Sequence, residues 1–216
     1  MKLLPNWVDA YYGLSVAYQN ARMWPEALEA IGKAIEIDPS VGDFYRQRGL
    51  IHLSSGRWQD AAGDFNAAAD RGTSDVYTSL WLWMTDMHQE KEEEAKKPIS
   101  AAVSRSKAGS WEGMLLRYHA GDIEPNVFLE AASTNERKCE AYYYIAQRLR
   151  FQEGKEEPRE WLQKCRHRGN AVRGVSTRQD RAGAAVIRIA ECHALAKREH
   201  VQGYHVRHIS EASAQV

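Results

Sequence analysis

The stretch Met23–Ser40, MWPEALEAIGKAIEIDPS, predicts one short helix with a defined start and a defined end. Pro25 suits the first turn of a helix, and Pro39 prevents the helix from continuing. The apolar positions between them recur at helical spacing and form one face: Ala27, Ile31 and Ala34. An isolated helix of this length is marginal, so packing against neighbouring helices must stabilise it.

The chain repeats itself with a 34-residue period, since Tyr11 and Tyr45 occupy the same place in two matching segments. The other columns that agree at this period are Ser15 with Gly49, Trp24 with Trp58, Ala27 with Ala61, Ile31 with Phe65 and Ala34 with Ala68. Later copies are degenerate. We place the copies near residues 8–41, 42–75, 76–105 and 139–168, with a divergent helical pair at 109–132. A repeat of this length decides the architecture of the whole domain.

Each copy contains two apolar-periodic segments separated by a polar break, which predicts a helix–turn–helix hairpin. We expect small residues to let the two helices approach closely: Ser15, Ala27, Gly49 and Ala61. We expect larger residues to fill the space between the helices: Leu14, Ile31 and Phe65. The predicted fold is therefore all-α.

These columns resemble the tetratricopeptide repeat (TPR) in their 34-residue period and in their small, alanine and proline positions. The first copy keeps Pro39 but has Ser15 for the usual glycine, and the second keeps Gly49 but has Thr73 for the proline. The resemblance implies a right-handed helix-turn-helix solenoid over residues 6–168. Residues 169–216 are then expected to form a linker, a C-terminal capping helix and a flexible, basic, His-rich tail.

The segment 111–129 follows the Trp81-Leu-Trp83 helix and precedes a returning copy at Cys139. With Tyr118, Gly121 and Ile123, it resembles the later half of NlpI-type bacterial lipoproteins. We expect an aromatic helix that ends at Gly121 and a second one that begins near Pro125. The leader and lipid-bearing cysteine of that family are missing, so its membrane anchorage is not carried over. A role as an adaptor between other proteins is implied.

The net charge of zero gives no general argument for nucleic acid. Lys and Arg against Asp and Glu number 20 against 25 in residues 1–164 and 9 against 4 in residues 165–216, so net charges of −5 and +5 follow one another. The basic tail has only Tyr204 for base stacking, which disfavours nucleic-acid binding. The acidic run at residues 90–97 is expected to be a solvated helix start, with a calcium or peptide site as the alternative.

Three cysteines are an odd number without metal-type spacing, which disfavours a disulfide framework and favours a reducing compartment. Cys139 and Cys165 are expected to be small buried apolar residues. No apolar signal region or membrane-spanning run is present. The expected location is cytoplasmic as written, or membrane-associated or periplasmic if a leader was removed.

Motifs for a phosphate loop, a serine elbow, a zinc helix and a dinucleotide fold are absent, so we expect neither an enzyme nor a cofactor. An alternative is a metal site in the tail, where a thiolate and imidazoles would suit zinc: Cys192, His193, His200, His205 and His208. Ordinary polar residues in a His-rich tail explain the same cluster.

Stacked hairpins expose their first helices on a concave face, which is a natural groove for a peptide or a helix of another protein. The expected function is therefore a non-catalytic scaffold or adaptor that binds a protein segment there. The groove residues are expected to be Asp9, Tyr12, Val16, Gln19, Asn20, Asp43, Arg46, Leu50, Leu53, Tyr77, Leu80, Met84, Met87 and His88.

The groove prediction leaves two points open. Core filling is an equal explanation for Trp81 and Met84, because the third copy is irregular. Some repeat proteins bind C-terminal carboxylates with a clamp of two lysines, two asparagines and an arginine. None of the five corresponding residues matches it, so carboxylate binding is not expected: Tyr12, Val16, Gln47, Tyr77 and Trp81. The alternative function is a self-associating assembly subunit, a homo-oligomer held together by exposed aromatic residues.

Overall fold

The computed structural model describes residues 6–107 and 109–153, and every regular element in these ranges is an α-helix. The helices are α1 (Asn6–Asn20), α2 (Trp24–Ile37), α3 (Gly42–Ser54), α4 (Trp58–Asp70), α5 (Val76–His88), α6 (Glu92–Arg105), α7 (Trp111–Ala120), α8 (Pro125–Ala131) and α9 (Asn135–Glu153). The prediction of an all-α fold is confirmed for this part of the chain.

Helices pack mainly against their neighbours in sequence, and the pairs α1–α2, α3–α4 and α5–α6 have the most extensive contacts. We call α1, α3 and α5 the first helices and α2, α4 and α6 the second helices. The second helices begin at Trp24, Trp58 and Glu92, which are each separated by one repeat period. The helix boundaries thus follow the period seen in the sequence.

The turn inside each hairpin contains one residue in the left-handed region, and these residues follow the same period: Arg22 (φ 60°), Gly56 (φ 77°) and Glu90 (φ 60°). Only the middle hairpin places a glycine there, where an absent Cβ removes the steric penalty. All three turns share one hydrogen bond, from the amide after the left-handed residue to the carbonyl five residues earlier, as from Met23 to Tyr18 and from Lys91 to Asp86.

The small positions between paired helices are buried, as predicted. A Cβ built on Gly49 would lie only 2.7 Å from the Phe65 ring, so α3 and α4 approach closely at this point. Ile31 and Phe65 are fully buried. The expectation for Leu14 is wrong, because its side chain is 45% exposed. Leu14 lies on a face of α1 against which no described helix packs.

Two apolar clusters form the interior. The smaller one joins α1, α2 and α3, with Ile31 and Ile51 fully buried at its centre. The larger one runs from α3 to α9 and is rich in aromatic residues. Trp81 and Met84 belong to it and are 6% and 2% exposed, so core filling is the correct interpretation of both.

The divergent pair has the predicted limits. Ser110 caps α7 by accepting a hydrogen bond from the Gly113 amide, and Gly121 ends the helix in the left-handed conformation with φ 90°. Pro125 starts α8. The acidic run opens α6, where Lys96 pairs with Glu92 and Glu93. All three side chains are exposed, as expected for a solvated helix start.

The expectation for Cys139 is wrong. Its side chain is half-buried within α9 and is disulfide-bonded. The argument for a reducing compartment from unpaired cysteines therefore loses its support. Within the described ranges no helix is both long and apolar enough to cross a membrane. The predicted later part of the last copy, the linker, the capping helix and the His-rich tail lie outside the described residues.

Candidate functional site

Arg46 stands at the centre of a charged row that crosses the first helices. Its guanidinium contacts Asp43 on its own helix and Asp75 at the start of α5, each at 2.7 Å. Arg46 is 15% exposed, whereas Asp43 and Asp75 are 52% and 39% exposed. Asp9 lies one repeat before Asp43 and is exposed. We call Asp9, Asp43, Arg46 and Asp75 the acidic row.

Asp75 holds the row in place because it also starts a helix. Its carboxylate accepts hydrogen bonds from the backbone amide and the hydroxyl of Thr78, at 2.8 and 2.9 Å. An aspartate in this capping position satisfies an amide that has no partner within the helix. The same side chain therefore ends the loop before α5 and fixes the orientation of Arg46.

Tyr12 lies beside the row on α1. Its ring contacts Phe44 with 5.9 Å between centroids, and burial raises the pKa of its hydroxyl, an effect that nearby Arg46 opposes. Val16 and Leu50 follow one turn after Tyr12 and Arg46 and are half-buried. The structure thus places a partly exposed apolar strip of Tyr12, Val16 and Leu50 next to the acidic row.

Four predicted groove residues are buried instead: Gln19, Leu53, Leu80 and Met84. Leu53, Leu80 and Met84 belong to the larger core cluster, because neighbouring hairpins cover this side of α3 and α5. Gln19 accepts a hydrogen bond from Gln47 at 2.8 Å and donates one to Ser54 at 3.3 Å. These contacts join α1 to α3, so Gln19 is part of a contact between hairpins and does not line an open groove.

The remaining predicted residues lie near the other end of the first helices. Asn20 is exposed and Met87 is half-buried. His88 stacks on Trp58 with 3.7 Å between centroids and meets the ring of Phe151 at 4.9 Å. Burial, followed by the positive charge of Arg150, lowers the pKa of His88 to about 4. His88 is therefore a neutral aromatic contact between α4, α5 and α9.

Tyr77 contacts the buried carboxylate of Glu140, a polar group that the sequence analysis did not predict. Its hydroxyl donates to Glu140 of α9, and burial followed by that carboxylate raises the pKa of Tyr77. The Trp111 indole nitrogen donates to the same carboxylate at 2.6 Å. Glu140 is 8% exposed and thus links α5, α7 and α9 in the interior. Tyr77 is half-buried and borders the row at Asp75.

An open pocket of about 540 Å³ lies on the opposite side, over α3 and α4. Arg48 makes a bidentate contact with Asp64, with its shortest distance 2.6 Å, and His52 lies 3.5 Å from the same carboxylate. Arg57 donates to His52 Nδ1 at 3.0 Å and pairs with Asp60. Burial, followed by Arg57, lowers the pKa of His52.

Charges in this pocket are balanced, since the two arginines each contact an aspartate. His52 Nδ1 accepts a hydrogen bond from Arg57, so the ring is neutral and its Nε2 faces Asp64. The network ties α3 to α4. Sequence reasoning missed it because the residues one period before and after Arg48 are Leu14 and Leu82, so the repeat gave no sign of an ion pair at this position.

No protein-family model matches the chain. Among the described residues, no group of three or more His, Cys, Asp or Glu is arranged to hold a metal ion. The cysteine and histidines of the alternative metal site lie outside the described residues. The acidic row, with its apolar strip, is the candidate site that the geometry supports best.

Proposed function

We propose that the chain is a tetratricopeptide-type repeat protein, a non-catalytic adaptor that binds a protein segment along its first helices. Support for the repeat comes from three features that share one period: the starts of the second helices, the left-handed turn residues and the buried small positions. The resemblance of residues 40–165 to NlpI-type proteins adds an adaptor role to this proposal.

The observation that carries the binding proposal is the acidic row. Arg46 is the most buried member, while the side chains of Asp43 and Asp75 are 52% and 39% exposed. Three carboxylates against one guanidinium leave the row with a net charge of −2. A charged surface of this kind selects partners of opposite sign and accelerates their association.

The partner that fits is an extended or helical segment with both basic and apolar residues. Its Lys or Arg side chains would pair with the exposed carboxylates. Its apolar side chains would cover the strip of Tyr12, Val16 and Leu50. Aromatic and arginine side chains are common anchors in protein interfaces, and the centre of this surface offers both.

The test is a selection from a random-peptide phage library on the full chain, followed by fluorescence anisotropy with the enriched peptides. The matched variants are Asp43→Ala and Asp60→Ala. Both aspartates are about half exposed, at 52% and 58%, and both pair with an arginine three residues away. Only Asp43 belongs to the acidic row, so Asp60→Ala serves as the control.

We expect the enriched peptides to carry basic and apolar residues. Asp43→Ala should weaken their binding about three- to tenfold, by roughly 1 kcal/mol, and Asp60→Ala should leave it unchanged. Added salt should weaken the binding to the native chain. Equal affinities of the two variants, or a selection without enrichment, would overturn the proposal. Circular dichroism of both variants checks that the fold is retained.

A further inference from the structure

The open pocket over α3 and α4 has charged groups that the proposed adaptor function does not use. Its lining residues are Leu28, Arg48, His52, Arg57, Gln59, Asp60, Gly63 and Asp64. None of them belongs to the acidic row or to the apolar strip beside it. The volume of about 540 Å³ lies within the range of roughly 300–1,000 Å³ that small-molecule sites have. The pocket therefore has room for a small ligand.

The ion pair of Arg48 with Asp64 departs from the repeat. The chain has uncharged residues at the positions one period away: Leu14 and Ala30 before the pair, and Leu82 and Pro98 after it. The side chains of Arg48 and Asp64 are 32% and 8% exposed. An ion pair that is largely withdrawn from water gives little net stability, because the lost hydration offsets the attraction between the charges. Neither the repeat nor stability accounts for this pair, which leaves ligand binding as a role for it.

Each arginine of the pocket keeps one nitrogen available to a ligand. Arg48 contacts Asp64 through Nε and Nη2. Arg57 Nε lies 3.0 Å from His52 Nδ1 and 3.1 Å from Asp60 Oδ2. Within the described residues, the Nη1 nitrogen of either arginine makes no hydrogen bond or ion pair. Since guanidinium groups match the geometry of a carboxylate, the pocket offers two sets of donors to one.

Both aspartates of the pocket pair with an arginine, yet one carboxylate oxygen stays available. Asp64 uses both of its oxygens for Arg48. Asp60 pairs with Arg57 through Oδ2, and in the part of the chain that the structure describes its Oδ1 makes no hydrogen bond or ion pair. The Asp60 side chain is 58% exposed. Its Oδ1 is therefore available to an ammonium group of a ligand.

His52 fixes the position of Arg57 before any ligand binds. The imidazole ring is buried, and its Nδ1 accepts the hydrogen bond from Arg57. Asp64 Oδ2 lies 3.5 Å from the Nε2 of the same ring. A binding group that is held in place loses less conformational freedom when the ligand arrives. In the same pocket, Gly63 has no atom within 4 Å of a Cβ built on it, so a ligand can approach α4 closely.

We propose that this pocket binds a zwitterion, a free α-amino acid. Its carboxylate pairs with Arg48 and Arg57, and its ammonium group pairs with Asp60. Two arginines and two aspartates give the pocket a balanced charge, so a ligand with separated charges and no net charge complements it. The half-buried side chain of Leu28 offers an apolar contact to the ligand's side chain. The site is independent of peptide binding, because the pocket and the acidic row share no residue.

Saturation-transfer NMR of the full chain with each of the twenty amino acids tests the proposal. We expect transfer to at least one of them, and isothermal titration calorimetry then measures its affinity. The N-acetyl derivative of that amino acid lacks the ammonium group, and its amide lacks the carboxylate. Each derivative should bind about tenfold more weakly, because one charged contact is lost.

Matched variants locate the site. Arg57→Gln and Asp60→Asn remove the two charges at the mouth of the pocket, where the side chains are 50% and 58% exposed. Arg117→Gln and Asp122→Asn are their controls, because these residues form another ion pair and are 49% and 48% exposed. We expect each pocket variant to bind the amino acid about tenfold more weakly and each control to retain the native affinity. Circular dichroism should show native helical content in all four.

Three results would overturn the proposal. A chain to which no amino acid binds has no such site. Equal binding of the amino acid and its N-acetyl derivative would mean that the ammonium group is not recognised and that the pocket takes a simple anion. Equal affinities of the pocket variants and their controls would place the binding elsewhere on the chain.

Discussion

Replacing a glycine by alanine should have opposite effects on stability at Gly49, where α3 and α4 approach closely, and at Gly63, where they do not. Gly49→Ala would place its Cβ 2.7 Å from Cε1 and 2.8 Å from Cδ1 of Phe65, where ordinary contacts begin at 3.4 Å. The ring cannot withdraw easily, because Phe65 is fully buried and stacks on Trp81 at 5.5 Å. Gly63→Ala, in contrast, adds its Cβ in open space.

Alanine is favoured over glycine inside a helix by about 0.5–1 kcal/mol, and overpacking of a core costs about 1–3 kcal/mol. We therefore expect Gly49→Ala to lower the free energy of unfolding by about 1–2 kcal/mol and Gly63→Ala to raise it by about 0.5–1 kcal/mol. Urea denaturation followed by circular dichroism measures both.

A double-mutant cycle with Phe65→Leu locates the cause. Removing ring atoms should relieve the contact, so that Gly49→Ala costs less in the Phe65→Leu background than in the native one. A Gly49→Ala variant as stable as the Gly63→Ala variant would refute the close-packing argument. An unchanged cost in the Phe65→Leu background would show that the loss arises elsewhere.

Three other predictions concern a cap, a turn and a buried histidine. Asp75→Ala should lower the free energy of unfolding by about 1–2 kcal/mol, because α5 loses its cap, and Asp75→Ser should restore part of it in urea denaturation. Glu90→Gly should raise the free energy of unfolding by about 1 kcal/mol, because a glycine removes the cost of the left-handed conformation, whereas Gln89→Gly should lower it. Burial lowers the pKa of His119 to about 4. An unfolded histidine has a pKa of about 6.5, so between these two pH values the unfolded chain binds more protons than the folded one. The free energy of unfolding should thus fall as the pH drops from about 6.5 to about 4, by up to about 1.4 kcal/mol per pH unit from this group. Urea denaturation of the His119→Phe variant across that range should show a shallower fall. The same pH dependence in the variant and the native chain would exclude His119 as a source of the loss.

The hairpins could be predicted from the sequence because each depends on local information. The helical spacing of Ala27, Ile31 and Ala34 and the recurrence of these positions in the next copy determine which faces pack inside a hairpin. Gly49 and Phe65 also belong to one hairpin, so their columns were sufficient to predict the contact between them. The limits of α7 and α8 followed from a glycine and a proline with fixed backbone preferences.

Contacts between hairpins could not be predicted in the same way. The burial of Gln19 and Leu80 depends on how closely one hairpin covers the next. The repeating pattern of residue types gives no information about the distance between hairpins. His88 and Phe151 meet although they lie in helices α5 and α9, far apart in the chain. Leu14 has the apolar character of a core residue, so its 45% exposure was missed. Its counterpart one period later, Arg48, is also part exposed, at 32%.

The most direct test of the proposed binding face is hydrogen–deuterium exchange of the full chain with and without a peptide selected on it. The proposal predicts slower exchange in the amides around Asp9–Tyr12, Asp43–Arg46 and Asp75–Tyr77, because the bound segment covers these first-helix positions. The outer surfaces of α2 and α4 should exchange as before. Protection confined to α2 and α4, around the pocket at Arg48 and Asp64, would contradict the proposal and assign binding to the opposite side of the molecule.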